Sequence, residues 1–180
     1  MEKYSKLTSN EYCTKVKIKD EHGIVNWQWH SVTLWTMYRG MQDSPYTLQS
    51  LHMALEKYLL DLSEAGKYEQ CEHILKRLLF ECHSSSVSAI TASLVLAYPD
   101  QYWNVAMILF RTLSFFHTDL SRSTSEFIME STYRTSWELN PPITDERIET
   151  CKQEFRKSNL ELACLYYQFY KKLDNYVNLW

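Results

Sequence analysis

The residues of this chain that could act as nucleophiles or metal ligands are its five cysteines and six histidines. Cys71-x-His73 and Cys82-His83 come nearest to a metal constellation. Residues one or two apart on a helix point to different faces, so neither pair can readily share one ion. Structural zinc sites use C-x2–4-C or H-x3–5-H spacings, and neither occurs. Buried thiols and surface imidazoles are expected instead, with no metal and no cofactor. A thiol nucleophile assembled by folding would pair Cys82 with His117 or His52. Its signature would be Cys82 or Cys164 within hydrogen-bond reach of a histidine at the floor of a pocket.

Asp119 and Arg122 stand three apart, with Arg111 and His117 nearby. The group reads either as an anion site at a helix start or as Asp119 supporting a helix N-terminus while Arg122 pairs across one turn. The second reading is the expected one, and such a pair contributes only about 0.2–0.5 kcal/mol. Glu56, Lys57 and Glu64 are placed on the solvated face of their helix. Lys15, Lys17 and Lys19 fall on one side of an extended piece. A solvated edge outweighs a phosphate-binding strip as their explanation.

The composition narrows the function classes. The chain has 180 residues, 45% hydrophobic and 23% charged, with a net charge of -3. That is enough chain for one domain with a real core. The charge balance gives no electrostatic reason to expect nucleic acid or an anionic membrane. Helical nucleic-acid binding would require a basic face on the fold. No apolar run is long enough to span a membrane, and the polar start lacks the apolar centre of a signal peptide. Five scattered cysteines suit reduced thiols and a cytoplasmic location. Only Gly23, Gly40 and Gly66 are glycine, so the last 114 residues contain none. Phosphate-cradling loops and nucleophile elbows need glycine for close backbone approach or unusual dihedrals. No catalytic machinery is expected.

The elements that would position these residues are helices. Residues 1–22 form a polar segment with a short extended piece at Cys13–Lys19. Trp27, His30, Leu34, Met37 and Tyr38 recur at helical spacing, and Gly40 ends that element. Ser44 as N-cap and Pro45 at the first helical position open a helix whose stripe is Leu48, Leu51, Leu55, Tyr58, Leu59 and Leu62. Gly66 stops it. A third helix spans about 67–82, with Tyr68, Cys71, Ile74, Leu75, Leu78 and Leu79 inward. Residues 87–98 are apolar on nearly every face, which marks a helix buried on several sides. Trp103, Ala106, Met107, Phe110 and Leu113 line the next. Thr118-Asp119 caps another that carries Leu120, Phe127 and Ile128. After the break at Pro141-Pro142, an amphipathic helix covers 143–180 with a stripe of Leu162, Tyr166, Phe169, Leu173, Tyr176 and Trp180. Short connections make neighbours antiparallel. The expected fold is all-α: an irregular antiparallel helical bundle or short α-solenoid of HEAT- or armadillo-like pairs, with its scaffold core at 23–140.

Aromatic residues make up 14% of the chain. Core is the expectation for Trp27 and Trp35, whereas Tyr167, Tyr170 and Trp180 are divided between core and a partner surface. The terminal stripe is still running at Leu179 and Trp180, which suggests a partner surface or, preferably, a piece of a larger protein.

Several stretches carry a family likeness. They are Tyr38-Arg39-Gly40, Ser44-Pro45-Tyr46-Thr47-Leu48-Gln49-Ser50 with Met53-Ala54-Leu55-Glu56-Lys57-Tyr58-Leu59, and Ser86-Val87-Ser88-Ala89-Ile90-Thr91-Ala92 with Ala97-Tyr98-Pro99. Phe115-Phe116 with Asp119-Leu120-x-Arg122 extends the set. Together they resemble a helical region of large bacterial STAND-type NTPases of the AVAST antiphage group, over about residues 27–122. The resemblance implies a bacterial cytoplasmic defence protein. In that family a nucleotide-binding module drives oligomerisation and helical repeats sense a phage protein. This chain has no G-x-x-x-x-G-K-[ST] and no acidic strand end to serve as a Walker B, so nucleotide hydrolysis does not carry over. Ser44, Pro45 and Glu56 match the likeness with structural roles only.

The leading expectation is a non-catalytic scaffold or sensor segment that binds protein: itself, the remainder of a longer chain, or a phage protein. The alternative is a small helical enzyme or regulator with a folded-together Cys/His site.

Overall fold

A computed structural model describes residues 13–40, 45–135 and 149–170, with backbone alone at 129–135 and 170. A two-stranded antiparallel sheet comes first, β1 at Thr14–Lys19 and β2 at Val25–His30. The helices follow: α1 Val32–Trp35, α2 Tyr46–Glu64, α3 Tyr68–Glu81, α4 Ser85–Ala97, α5 Trp103–Phe110, α6 Leu113–Thr135, α7 Glu154–Lys157 and α8 Leu160–Tyr170. A 3-10 turn at Met37–Arg39 lies between α1 and α2. The fold is mostly helical, as expected.

The hairpin departs from that expectation. Residues 26–30 form a strand rather than the start of a helix. Asn26, Gln28 and His30 are buried while Val25 and Trp27 face out, a period of two. The hairpin therefore joins residues on both sides of the boundary expected near 22. Its turn is set by Asp20, whose Oδ1 accepts from the backbone N–H of His22 (3.0 Å) and Ile24 (2.7 Å). Gly23 supplies the positive φ of 84° that the turn requires.

Helix α4 lies at the centre. Every residue from Ser85 to Leu96 is buried, and the helix touches α1, α2, α3, α5, α7, α8 and β2. Its apolar circumference predicts this. Less expected is how much hydroxyl it buries: Ser85, Ser86, Ser88, Thr91 and Ser93. These groups decide which face of α2 turns inward. Leu51 and Tyr58 are exposed, and the buried stripe is Gln49, His52, Glu56, Leu59, Leu62 and Ser63. Glu56 is only 3% exposed, which overturns its assignment to the solvated face; Lys57 and Glu64 are indeed solvated. The cause is the partner helix, since Ser93 donates to Glu56 Oε1 and His52 Nε2 meets Ser86 Oγ at 3.0 Å.

Helix α3 matches its expected stripe, with Cys71, Leu75 and Leu79 buried. Gly66, at φ 75°, follows the last turn of α2 as expected of a C-terminal stop. Gly40 closes the 3-10 turn in the same left-handed region, and Ser44 lies outside the described residues. The break expected at Thr118 does not occur. Helix α6 starts at Leu113 and runs through, because the Thr118 hydroxyl bonds back to Ser114 O (3.0 Å) within the helix. Nor does one helix cover the C-terminal part. Ser158 and Asn159 leave the helical path between α7 and α8.

Candidate functional site

Two features of the structure concentrate chemistry: a buried set of charges, and an apolar groove that the same charges hold in shape.

Three guanidinium groups and three carboxylates meet in the interior. Arg122 sits on α6 with Asp119 and Glu126 one turn to either side, and all three are buried. Its Nε donates to Asp119 Oδ1 (2.8 Å) and its Nη2 to Asp119 Oδ2 (3.3 Å). Its Nη1 donates to Glu126 Oε2 and to the Arg156 carbonyl, both at 3.0 Å. The remaining Nη2 proton reaches Ser158 O at 2.6 Å. All five guanidinium donors are thus satisfied, the condition under which a buried arginine is tolerable. Glu126 also accepts from Arg39. Glu56 Oε2 accepts from Arg156 Nη2 at 2.9 Å.

Burial opposes the charge on Arg122. The facing Tyr38, Asp119 and Glu126 nevertheless hold its pKa above the ordinary guanidinium value. Burial pushes the Tyr38 hydroxyl well up, so it stays protonated. Neither Arg122 nor Tyr38 is therefore poised to exchange a proton.

Asp119 does more than pair. Its Oδ1 accepts from Trp35 Nε1 at 3.0 Å, and its Oδ2 accepts from the backbone N–H of Leu160 at 2.9 Å. Leu160 is the first residue of α8, so Asp119 caps a helix other than its own. Asn159 adds a second acceptor, taking Leu162 N–H at 3.0 Å. Asp119 pairs with Arg122 across one turn as expected, but it lies inside α6 and caps α8 instead of the start of its own helix. Arg122, beside it, collects the carbonyls that end α7.

The network fixes α8 against one side of α6. On another side the two helices leave a groove of about 290 Å³, walled by Leu113, Phe116, Leu120, Cys164 and Leu165. Glu161, Gln168 and His117 complete its lining. Further apolar side chains of both helices are exposed. Phe127 is 80% exposed and Phe169 75%, with Ile128 and Leu162 also out. Leu120, Phe127 and Ile128 of α6, and Leu162 and Phe169 of the expected C-terminal stripe, thus face out. The core-facing residues of α8 are Leu160, Ala163 and Tyr167.

Of the expected partner surface, Tyr167 belongs to the core. It is 1% exposed, packs on Trp103 and Phe110, and donates its hydroxyl to Pro99 O. The side chain of Tyr170, and Trp180, lie outside the described residues. Trp35 is core as expected, stacked 4.7 Å from Phe115, whereas Trp27 is 53% exposed.

The Cys/His expectations resolve case by case. Cys71 is buried and His73 exposed, so that pair is split as helix geometry requires. None of the five cysteines forms a disulfide, and no metal-binding group of three or more His, Cys, Asp or Glu exists among the described residues. Cys82 bonds to neither His117 nor His52. Cys164 and His117 do line the same groove, but burial and then Glu161 push the Cys164 thiol up, away from the thiolate. His52 has the polarity of a catalytic base: its Nδ1 donates to Leu48 O (2.6 Å), leaving Nε2 to accept from Ser86 Oγ. Ser86 is 0% exposed, however, and lines neither the groove nor the second cavity. The pair ties α2 to α4.

That second cavity, about 300 Å³, lies between the hairpin turn, α3 and α5, with Ile24, Phe80, Met107 and Ile108 as apolar lining. At its edge Arg77 pairs with Glu81. No protein-family model matches the chain, and no curated protein matches it in sequence. No helix among the described residues is long and apolar enough to cross a membrane.

Proposed function

We propose that this chain is a non-catalytic helical scaffold or sensor segment that binds a protein helix along the α6–α8 groove. The observation that carries the reading is the outward apolar surface of a helix pair whose relative position is locked from behind by Asp119 and Arg122. A preformed groove between helices, nearly uncharged apart from Glu161 and His117, suits the apolar face of an amphipathic helix. Preorganisation lowers the ordering cost of binding. The resemblance to helical regions of STAND-type antiphage NTPases supports a bacterial cytoplasmic setting and a phage protein, or the remainder of a longer chain, as the source of that helix. Because α4 is surrounded on all sides, the scaffold is better described as a bundle than as stacked HEAT- or armadillo-like pairs.

A photo-crosslinking residue at Leu165 in the full chain tests the reading. It should capture a protein that the same residue at exposed Tyr46 does not, and Leu120→Asp should abolish the capture without altering the circular dichroism spectrum. Equal capture at both positions sinks the proposal. The alternative, a small enzyme or regulator built on a Cys/His site, has one observation in its favour, the shared lining of Cys164 and His117. It requires Cys164 to react with iodoacetamide faster than a free thiol at pH 7.

A further inference from the structure

The outward face of the hairpin is a ladder of lysine and tryptophan. Register places Lys15 opposite Trp29, Lys17 opposite Trp27 and Lys19 opposite Val25; Val25 and Trp27 are exposed and Trp29 is half-buried. The Lys15 ammonium stands 5.0 Å from the Trp29 ring centre, and that of Lys17 stands 6.0 Å from Trp27. The three lysines are exposed, and neither strand contains an acidic residue. Asp20, just beyond β1, is turned to its own loop, and Glu21 lies in the turn with its carboxylate 3.5 Å from the His22 ring.

Alternate residues on a strand repeat at about 6.7 Å. The face thus offers cations at nearly the step of one nucleotide in an extended single strand, beside flat aromatic surfaces. We propose that this hairpin face binds single-stranded nucleic acid, with Lys15, Lys17 and Lys19 on successive phosphates and the rings of Trp27 and Trp29 stacked on bases.

The lysines now cover the rings, so binding exchanges one contact for another. An exposed cation–π contact changes an equilibrium by about two- to fivefold, whereas base stacking on an aromatic side chain changes it by about five- to a hundredfold. The exchange therefore favours the base, and the displaced ammonium moves to a phosphate. The overall acidity of the chain does not oppose this, because charges beyond about 10 Å are screened at ordinary ionic strength. An acidic peptide would satisfy the lysines but leave both rings unused, which is why a polynucleotide is the better fit.

Fluorescence anisotropy of labelled twelve-nucleotide oligo(dT) and oligo(U), titrated with the full chain, tests the proposal. Binding is expected with a Kd of about 1–100 µM at low salt, weakening with a log–log salt slope near -2 for three phosphates. Each of Lys15→Gln, Lys17→Gln and Lys19→Gln should reduce the slope by about 0.7. Trp27→Ala should weaken binding about tenfold and leave the slope unchanged. Because these side chains point outward, the circular dichroism spectrum should not move; if Trp27→Ala fails to fold, the lysine series decides alone. No anisotropy change at low salt overturns the proposal. So does equal binding of polyglutamate or of phosphatidylserine vesicles, or indifference to Trp27→Ala in a folded variant.

Discussion

Glu56 on α2 and Arg156 on α7, one hundred residues apart in sequence, meet at 2.9 Å in the interior. Neither charge has a partner at helical spacing on its own element that could replace the other. Removing one alone leaves a buried, unpaired charge. Glu56→Gln should therefore cost about 3–5 kcal/mol, and the double variant Glu56→Met with Arg156→Met should recover much of that loss. Urea denaturation of the two singles and the double measures it. A double variant as unstable as the sum of the singles would show no coupling between the two charges and would sink the prediction.

Arg122→Met tests the latch behind the groove. It takes the guanidinium from Asp119, leaving that carboxylate only neutral donors, halves the pairing of Glu126, and frees the carbonyls of Arg156 and Ser158. A loss of about 3–5 kcal/mol, or roughly 10 °C in thermal midpoint, is expected. Arg122→Lys should recover little, because one ammonium cannot reach a fork of carboxylates and two carbonyls together.

His30 gives the fold an acid sensitivity. It is packed between Trp35 and Phe115, and burial lowers its pKa to about 4 from 6.5. The unfolded chain takes up the proton first, so stability is full above pH 6.5 and is lost as pH falls from 6.5 towards 4. A shift of that size is worth about 3 kcal/mol. His52, whose pKa burial also lowers, adds to the loss in the same direction. His30→Phe should flatten most of the pH dependence of the urea midpoint over that window, leaving the part due to His52.

The outward apolar strip should be dispensable for folding. Leu120→Asp with Phe127→Asp should change stability by less than about 1 kcal/mol, since both side chains already face solvent. The same pair should markedly reduce binding of a hydrophobic dye. Large destabilisation would mean that these residues are covered in the folded protein.

Helix lengths and ends were legible where local chemistry decided them, as at Gly66 and along the all-apolar circumference of α4. Faces were less so. Leu51 and Tyr58 look like core, and Glu56 like surface, until the hydroxyls of α4 are known to lie opposite. Trp27, His30 and Leu34 mimic helical spacing, although the alternation of Asn26, Gln28 and His30 with Trp27 and Trp29 was present to be read as a strand. Asp119 and Arg122 stood out in the sequence. Their true partners, Leu160 N–H, Ser158 O and Arg156 O, lie 34 to 41 residues away and leave no local trace.

The side-chain amides of Asn26 and Gln28 both donate to the carbonyls of Leu79 and Cys82, and Trp29 N–H donates to His83 O at 3.0 Å. Strand β2 thereby finishes the C-terminal turn of α3, whose last carbonyls have no partner within the helix. One element cannot open without uncovering polar groups of the other. Amide protons of β2 and of the final turn of α3 should consequently exchange with deuterium at a common rate, as a single cooperative unit spanning both. Asn26→Leu together with Gln28→Leu should loosen that tie, and the strand would then exchange first.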